Sequence, residues 1–250
     1  MNAVSERIKD TFYLLSRVDN WREVLRSKGK NQFATWKLRN GSSFRAQSGT
    51  GDIIAARDTV LRNIYPLKKS YGLVVDIGAQ IGTFVARVSP RAERVIAFEP
   101  VTRNFNLLKD YCATNKRNVE IHKLAITSDG RDVVLNLLEN TAGHSIYAHE
   151  PVLGQEVVPS IASSALLNFL KVDLIDLLKM DVEGAEYEIM ENGAELLKAS
   201  SEILLEAHEL GGHTLEEAKA YLESAGFRIF TTNAQRGTCV YHGVRDSLHL

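Results

Sequence analysis

Val74-Val75-Asp76-Ile77-Gly78-Ala79-Gln80-Ile81-Gly82-Thr83-Phe84 reads as a strand that runs into a glycine turn and the start of a helix. Twenty-one residues beyond Gly78, Glu99 closes a second apolar run, Val95-Ile96-Ala97-Phe98. A glycine at such a turn lets a ligand approach the backbone, because no Cβ blocks it. A carboxylate about 20 residues downstream can accept hydrogen bonds from ribose 2′- and 3′-hydroxyls. The segment points to a nucleoside-bearing small molecule.

The glycine spacing narrows the choice. A dinucleotide fingerprint reads G-x-G-x-x-G, and Gly78-Ala79-Gln80-Ile81-Gly82 lacks its middle glycine. Asp76 ends the first strand, where a carboxylate repels a pyrophosphate and suits a cationic ligand. S-adenosylmethionine carries a sulfonium, an α-amino group and a ribose, and no phosphate. That charge logic favours it over NAD or FAD. A buried βαβ turn without a ligand is the plain structural alternative.

Working outward, Val4, Ile8, Phe12, Leu15 and Val18 recur at helical spacing and predict an amphipathic N-terminal helix packed on the main domain. Phe33–Leu38 and Ser43–Ala46 flank Asn40-Gly41, a hairpin signal. Asp52 precedes Ile53-Ile54 and Val60-Leu61-Ile64, which reads as a capped helix ending before Pro66. From Leu73 onward strands and helices alternate, as in a doubly wound parallel sheet. The expected strands are Leu73–Asp76, Val95–Phe98, Val119–Ile126, an added Val133–Leu138, Leu174–Met180 and Ile203–Glu206. Phe227–Phe230 and Thr238–Tyr241 complete the sheet as an edge hairpin. A helix is expected from Arg103 to Thr114, and Thr214-Leu215-Glu216-Glu217 is a capping box opening another. Asn140 to Pro159 shows little periodicity and reads as a functional loop.

Composition bounds the partners. The 250 residues are 44% hydrophobic and 24% charged, with a formal net charge of −1. Nothing there suggests a general affinity for nucleic acid or anionic membrane. No apolar run approaches the roughly 18 residues of a membrane span. Met1-Asn2-Ala3-Val4-Ser5-Glu6-Arg7 does not read as a signal peptide, so a cytoplasmic setting is expected. Cys112 and Cys239 have no metal-type spacing.

Asp176-Leu177-Leu178-Lys179-Met180-Asp181-Val182-Glu183-Gly184-Ala185-Glu186 closely resembles the signature of FkbM-type methyltransferases. Asp76–Gly82 looks like that family's first motif and Phe98-Glu99-Pro100 like its second, while Leu38–Gly41 and Asp52 look like its short β-rich lead. The resemblance spans roughly residues 33 to 242. It implies an α/β fold: a doubly wound, seven-stranded, Rossmann-like class I methyltransferase sheet with an N-terminal helical and β-hairpin extension. Residues 1–70 would form that extension and 71–250 the S-adenosylmethionine-binding domain. It also implies O-methylation of a hydroxyl on a sugar or another small molecule. Gln80 departs from a usual asparagine, Thr83 from a common aromatic, and His144 from a small or polar residue before Ser145.

Site residues follow from strand ends, where open α/β sheets bind ligands. Asp76 is expected to take the amino group of the methionine half, directly or through water. Gly78, Ala79 and Gly82 would line the methionine–ribose region, and Glu99 would take the ribose hydroxyls. Backbone near Ala125, or Asn104, would meet the adenine. An alcohol acceptor needs a base or a metal to gain alkoxide character. His208 is the candidate base, with a hydrogen-bonded structural histidine as the alternative. Asp181 reads as an acceptor-facing acid or a helix cap, and Glu183 as a second acid beside Gly184. Lys179 either pairs with Asp181 or Glu206 or serves as a base of lowered pKa. No metal is assigned, although Asp181, Glu206 and His208 form a set that a divalent ion would accept. The rival readings are amine or carboxyl methylation, a cofactor-binding domain without turnover, and a NAD-dependent oxidoreductase.

Overall fold

Apolar runs such as Leu73–Ile77 and Val95–Phe98 carry no alternation because both faces of their strands are covered. The computed structural model describes residues 3–115, 118–141, 143–147 and 151–245. The N-terminal part comprises α1 (Ala3–Arg17), α2 (Trp21–Ser27), β1 (Phe33–Lys37), β2 (Ser43–Gln47) and α3 (Gly51–Ala56), the last continued by a π-helical turn, Arg57–Arg62. Then come β3 (Tyr71–Ile77), α4 (Thr83–Val88), β4 (Ala92–Phe98), α5 (Thr102–Asn115) and β5 (Val119–His122). Four short strands follow: β6 (Ala125–Thr127), β7 (Val133–Leu138), β8 (Val152–Val158) and β9 (Ser160–Ala162). The chain continues through α6 (Leu166–Leu170), β10 (Leu177–Met180), α7 (Glu186–Asn192), α8 (Ala194–Lys198) and β11 (Glu202–His208). It finishes with α9 (Leu215–Ser224), β12 (Arg228–Gln235) and β13 (Thr238–Val244).

The main sheet has seven strands in the order β12-β13-β11-β10-β3-β4-β5, in which β13 alone runs antiparallel to its neighbours β11 and β12. Strand order reverses between β3 and β10. Such a switch point leaves a crevice beyond the carboxyl ends of the strands.

Alternation divides the strand residues between two layers. Val75, Ile77, Ile96, Leu178, Met180 and Leu205 pack with Tyr187, Ile189, Leu196, Leu197 and Leu222 of α7, α8 and α9. Val74, Ala97, Leu177 and Leu204 pack with Phe84 and Leu108 of α4 and α5. The same second cluster takes in Leu14, Val18, Trp36, Phe44, Leu61 and Tyr65 from the N-terminal elements. The extension is therefore part of the layer that covers one face of the sheet.

Four expectations are corrected. In α1 the buried side chain is Leu14, while Ile8 and Phe12 are each 65% exposed and Leu15 is 37% exposed. Val18 of the predicted stripe is fully buried just past the helix, whereas within α1 the packing face lies one residue away from that stripe. The side chain of Val4 lies outside the described residues. Thr50 caps α3, its hydroxyl accepting from the Asp52 amide. Asp52 itself has no exposed surface and pairs with Arg103 at 2.8 Å. The expected strand Val119–Ile126 breaks after His122: β5 stays in the main sheet, and β6 pairs with β9. Finally, the Asn140–Pro159 stretch contains β8, which pairs antiparallel with β7. Residues 142 and 148–150 lie outside the described residues.

Candidate functional site

A cavity of about 600 Å³ opens at the switch point, a size that suits a drug-sized ligand. Its first half is built on the β3 turn. Gly78 adopts φ +84°, and a Cβ there would collide with the carbonyl oxygen of Asp181. The turn is held by the Gly78 and Ala79 amides, which donate to the Phe98 carbonyl at 3.0 and 2.9 Å. Glu99, at the end of β4, faces the same cavity. One of its oxygens accepts from the Gln80 amide (2.8 Å) and the other from the Val101 amide (2.9 Å). Burial lifts its carboxyl to about 7 against the pull of those two amides. Ala125 and Asn104 line the cavity beyond Glu99, together with His144 from the loop after β7. Burial holds the His144 imidazole below its ordinary pKa, and Nδ1 accepts from the Leu138 amide at 3.0 Å.

Strand register assembles the second half. Lys179 on β10 lies between Asp76 on β3 and Leu204 on β11. Asp181 and Glu206 follow two residues further along their strands, and so project on the same face. Lys179 Nζ donates to the Gly78 carbonyl (2.7 Å) and ion-pairs with Asp76 (3.2 Å) and Asp181 (3.4 Å). Burial opposes the ammonium, but the Asp76 and Asp181 carboxylates outweigh it and raise the Lys179 pKa. The Tyr65 hydroxyl sits between Glu206 and Asp181 Oδ2, 3.0 Å from the latter. The segment that delivers Tyr65 is pinned by Arg87, which donates to the carbonyls of Thr59 and Tyr65 at 2.9 and 3.0 Å.

His208 closes the acidic half. Its Nδ1 bonds Glu186 Oε1 at 2.9 Å, and Nε2 faces Glu183 Oε2 at 3.3 Å. A carboxylate only accepts, so Nδ1 is the donor. Burial disfavours the imidazolium, yet the Glu186 and Glu183 carboxylates raise its pKa well above the ordinary value. Burial, partly offset by His208 and reinforced by Asp181, lifts Glu183 to about 8. Burial and the Asp181 charge lift Glu206 to about 7.

Gly78, Ala79, Glu99, Ala125, Lys179, Asp181, Glu183 and His208 all line this one cavity. Asp76 and Gly82 do not. Asp76 has no exposed surface and serves as a counter-ion beneath the turn. A Cβ on Gly82 would meet Leu108 Cδ1 at 2.9 Å, so this residue lies close against α5. Lys179 takes the ion-paired arrangement, with Asp76 and Asp181, whose carboxylates raise its pKa rather than lower it. Glu206 is not grouped with Asp181 and His208 as the sequence suggested; Glu183 takes that place. Tyr65 escaped sequence reasoning, while Glu186 and Gln80 were noticed, at the helix start after Glu183 and in the turn, without being given a role. Tyr65 meets partners remote in sequence, and Glu186 joins the nearby Val182 and Gly184 amides to His208, 22 residues away. Gln80 had a local signal, its position in the glycine turn.

This strand order, with an antiparallel edge hairpin and a cavity at the switch point, defines the class I methyltransferase fold. The methyltransferase FkbM domain matches residues 76–229, and the chain belongs to that family, as the resemblance in Asp176–Glu186 implied. The structure of the methyltransferase FkbM from Methylobacillus flagellatus KT superposes with a TM-score of 0.50 at 15% identity, over 79% of this chain and 56% of that one. This chain thus spans little more than half the length of that protein. The Methanococcus jannaschii fibrillarin pre-rRNA processing protein gives 0.48 at 15% identity, over 87% and 95% of the two chains. Magnesium protoporphyrin IX methyltransferase from Synechocystis PCC 6803, with bound SAM, gives 0.43 at 12% identity over 78% of each. No curated protein sequence matches the chain.

Proposed function

We propose that the chain is an S-adenosylmethionine-dependent methyltransferase acting on a hydroxyl of a small-molecule or carbohydrate acceptor. The observation that carries this reading is a single cavity lined both by Glu99 and the glycine turn and by Asp181, Glu183 and His208. The cofactor half fits its ligand. Both amide atoms of Gln80 are buried without a hydrogen-bond partner among the described residues, in a side chain that lines the cavity. Buried polar atoms of that kind call for a ligand or water. When bound, S-adenosylmethionine supplies a methyl group made electrophilic by its sulfonium.

The chain's own residues do the rest. Glu99 accepts from the ribose hydroxyls with the lone pairs its two backbone bonds leave free. Ala125 and Asn104 border the space for the base, and Phe98 and Pro100 border it by packing. Lys179, with Asp76 below it, fixes the Gly78 carbonyl and hence the turn. Glu183 and His208 hold the acceptor hydroxyl and the Asp181 carboxylate draws off its proton, with Glu186 fixing the imidazole. Alignment of the two reactants supplies most of the acceleration. Residues 1–70 act as the extension that brings Tyr65 to the site, and residues 71–250 as the catalytic domain.

The surplus of carboxylates in the acceptor half favours a second reading, an amine acceptor whose ammonium would pair with them. Incubation with methyl-labelled S-adenosylmethionine and a panel of glycans, hydroxylated metabolites, amines and RNA separates the two. Label transferred to a hydroxyl supports the first reading; label found only on nitrogen overturns it.

A further inference from the structure

We infer that the N-terminal elements enclose a second ligand site, suited to a small organic anion with an apolar body, in a cavity between α1, α2, β1 and α3. That cavity measures about 370 Å³, within the range of small-molecule sites. Leu14, Val24 and Leu61, all buried, supply its apolar wall. It lies apart from the cavity at the switch point, and Arg57 of the π-helical turn borders both.

The residue that calls for a ligand is Trp36, which lines the cavity and is 3% exposed. Its indole Nε1 is buried with no acceptor among the described residues. An indole nitrogen only donates, and a buried donor left unpaired is costly. The ring is held in place by stacking on Phe44, its cross-strand partner, with 5.8 Å between centroids. The two hydroxyls of the lining donate elsewhere, Thr11 to the Arg7 carbonyl and Ser27 to the Val24 carbonyl, each at 2.8 Å. A lone water therefore meets few polar partners in this wall. An oxygen that accepts from Trp36 and belongs to an apolar molecule satisfies the donor and fills the space together.

The mouth of the cavity sets the ligand's charge. Arg7 and Lys28 are exposed residues of the same lining, and neither has an ion-pair partner among the described residues. The other charges there are matched within the chain. Arg57 donates to both oxygens of Asp58 at 2.8 and 2.9 Å, and Asp10 accepts from Arg62 through both oxygens at 3.0 Å. The two remaining cations suit a carboxylate. The ligand so defined is an apolar acid with an oxygen acceptor at the end far from its carboxylate. Nothing in this site depends on the methyltransferase reading.

The test uses the full chain, labelled with nitrogen-15, and a series of probes. Para-hydroxycinnamate has both the acid and the acceptor, cinnamate lacks the hydroxyl oxygen, and para-propylphenol lacks the acid. Calorimetry reads affinity, and the indole N–H resonance of Trp36, assigned with Trp21→Phe, reads location. Para-hydroxycinnamate should bind saturably, one per chain, and move the Trp36 resonance downfield. Removing either side of the hydrogen bond, with cinnamate or with Trp36→Phe, should weaken binding about 2–10-fold. Removing the charge, with para-propylphenol or with Arg7→Gln and Lys28→Gln together, should weaken it about threefold or more, and less at high salt. Circular dichroism and melting check each variant's fold, and the probe series on the native chain decides if Trp36→Phe does not fold. Absence of saturable binding of para-hydroxycinnamate overturns the site. Binding that leaves the Trp36 resonance unmoved also overturns it, and would leave the indole to ordered water only. Equal affinity for all the probes overturns the ligand class.

Discussion

At Glu99 burial and hydrogen bonding oppose each other, and burial prevails, leaving the carboxyl at about 7. Ribose hydroxyls donate hydrogen bonds and so favour the ionised form. Cofactor affinity should therefore rise with pH through about 7, and binding near pH 6 should release a proton. Calorimetry in buffers of different ionisation enthalpy measures that proton directly. The stability effect has the opposite sense in the unliganded chain. A raised folded-state pKa gives a contribution present in full below the ordinary carboxyl range and lost as pH rises through about 7. Glu99→Ala should reduce affinity roughly tenfold or more, since a hydrogen bond to a charged group is worth about 1.5–3 kcal/mol. At Gly78, replacement by alanine adds left-handed strain to a collision with Asp181, and should cost about 2–4 kcal/mol in denaturant unfolding. The Gly78–Glu99 pair was legible because its signal is a spacing within one βαβ unit. Tyr65 was not, because its partners Asp181 and Glu206 lie 116 and 141 residues away.

Among the elements, α3, α5 and the loop after β7 meet at one buried group. Asp52 accepts from Arg103 through both oxygens, from the Gln47 amide (2.9 Å) and from the Thr141 hydroxyl (3.0 Å). Arg103→Ala would leave that carboxylate buried without its cation, a loss of about 3–5 kcal/mol by denaturant unfolding. The sequence marked Asp52 as a helix cap because aspartate is a common one, and Thr50 two residues earlier is equally good chemistry. In α1, Leu14→Ala should cost about 2–5 kcal/mol by the same measurement, whereas Phe12→Ser should change stability by less than about 0.5 kcal/mol. The reversal of those two effects would show that the helix packs by the face its periodicity suggested. The period was readable, but neighbouring apolar residues on both sides of the stripe left its phase ambiguous. Strand β8 was hidden for a different reason: Val152–Val158 lies between Pro151 and Pro159, contains Gly154, and pairs with β7 rather than the main sheet.

Across the whole molecule, the sheet and the N-terminal elements share one apolar layer, and the same layer brings Tyr65 over Lys179. The alternation from Leu73 to Tyr241 made the sheet legible, since parallel strands need crossover helices. The acidic half of the cavity was only partly legible, because it forms where β10, β11 and the segment after the π-helical turn converge. Among the described residues no helix is long and apolar enough to cross a membrane. On the proposed reading the Gly78–Glu99 end of the cavity binds S-adenosylmethionine. Calorimetric titration of the intact chain with that cofactor tests it most directly. Saturable binding of one equivalent, lost in Glu99→Ala and preserved in His208→Ala, is the predicted result. A folded chain that binds no S-adenosylmethionine, or a folded Glu99→Ala variant that binds it unchanged, would contradict the claim.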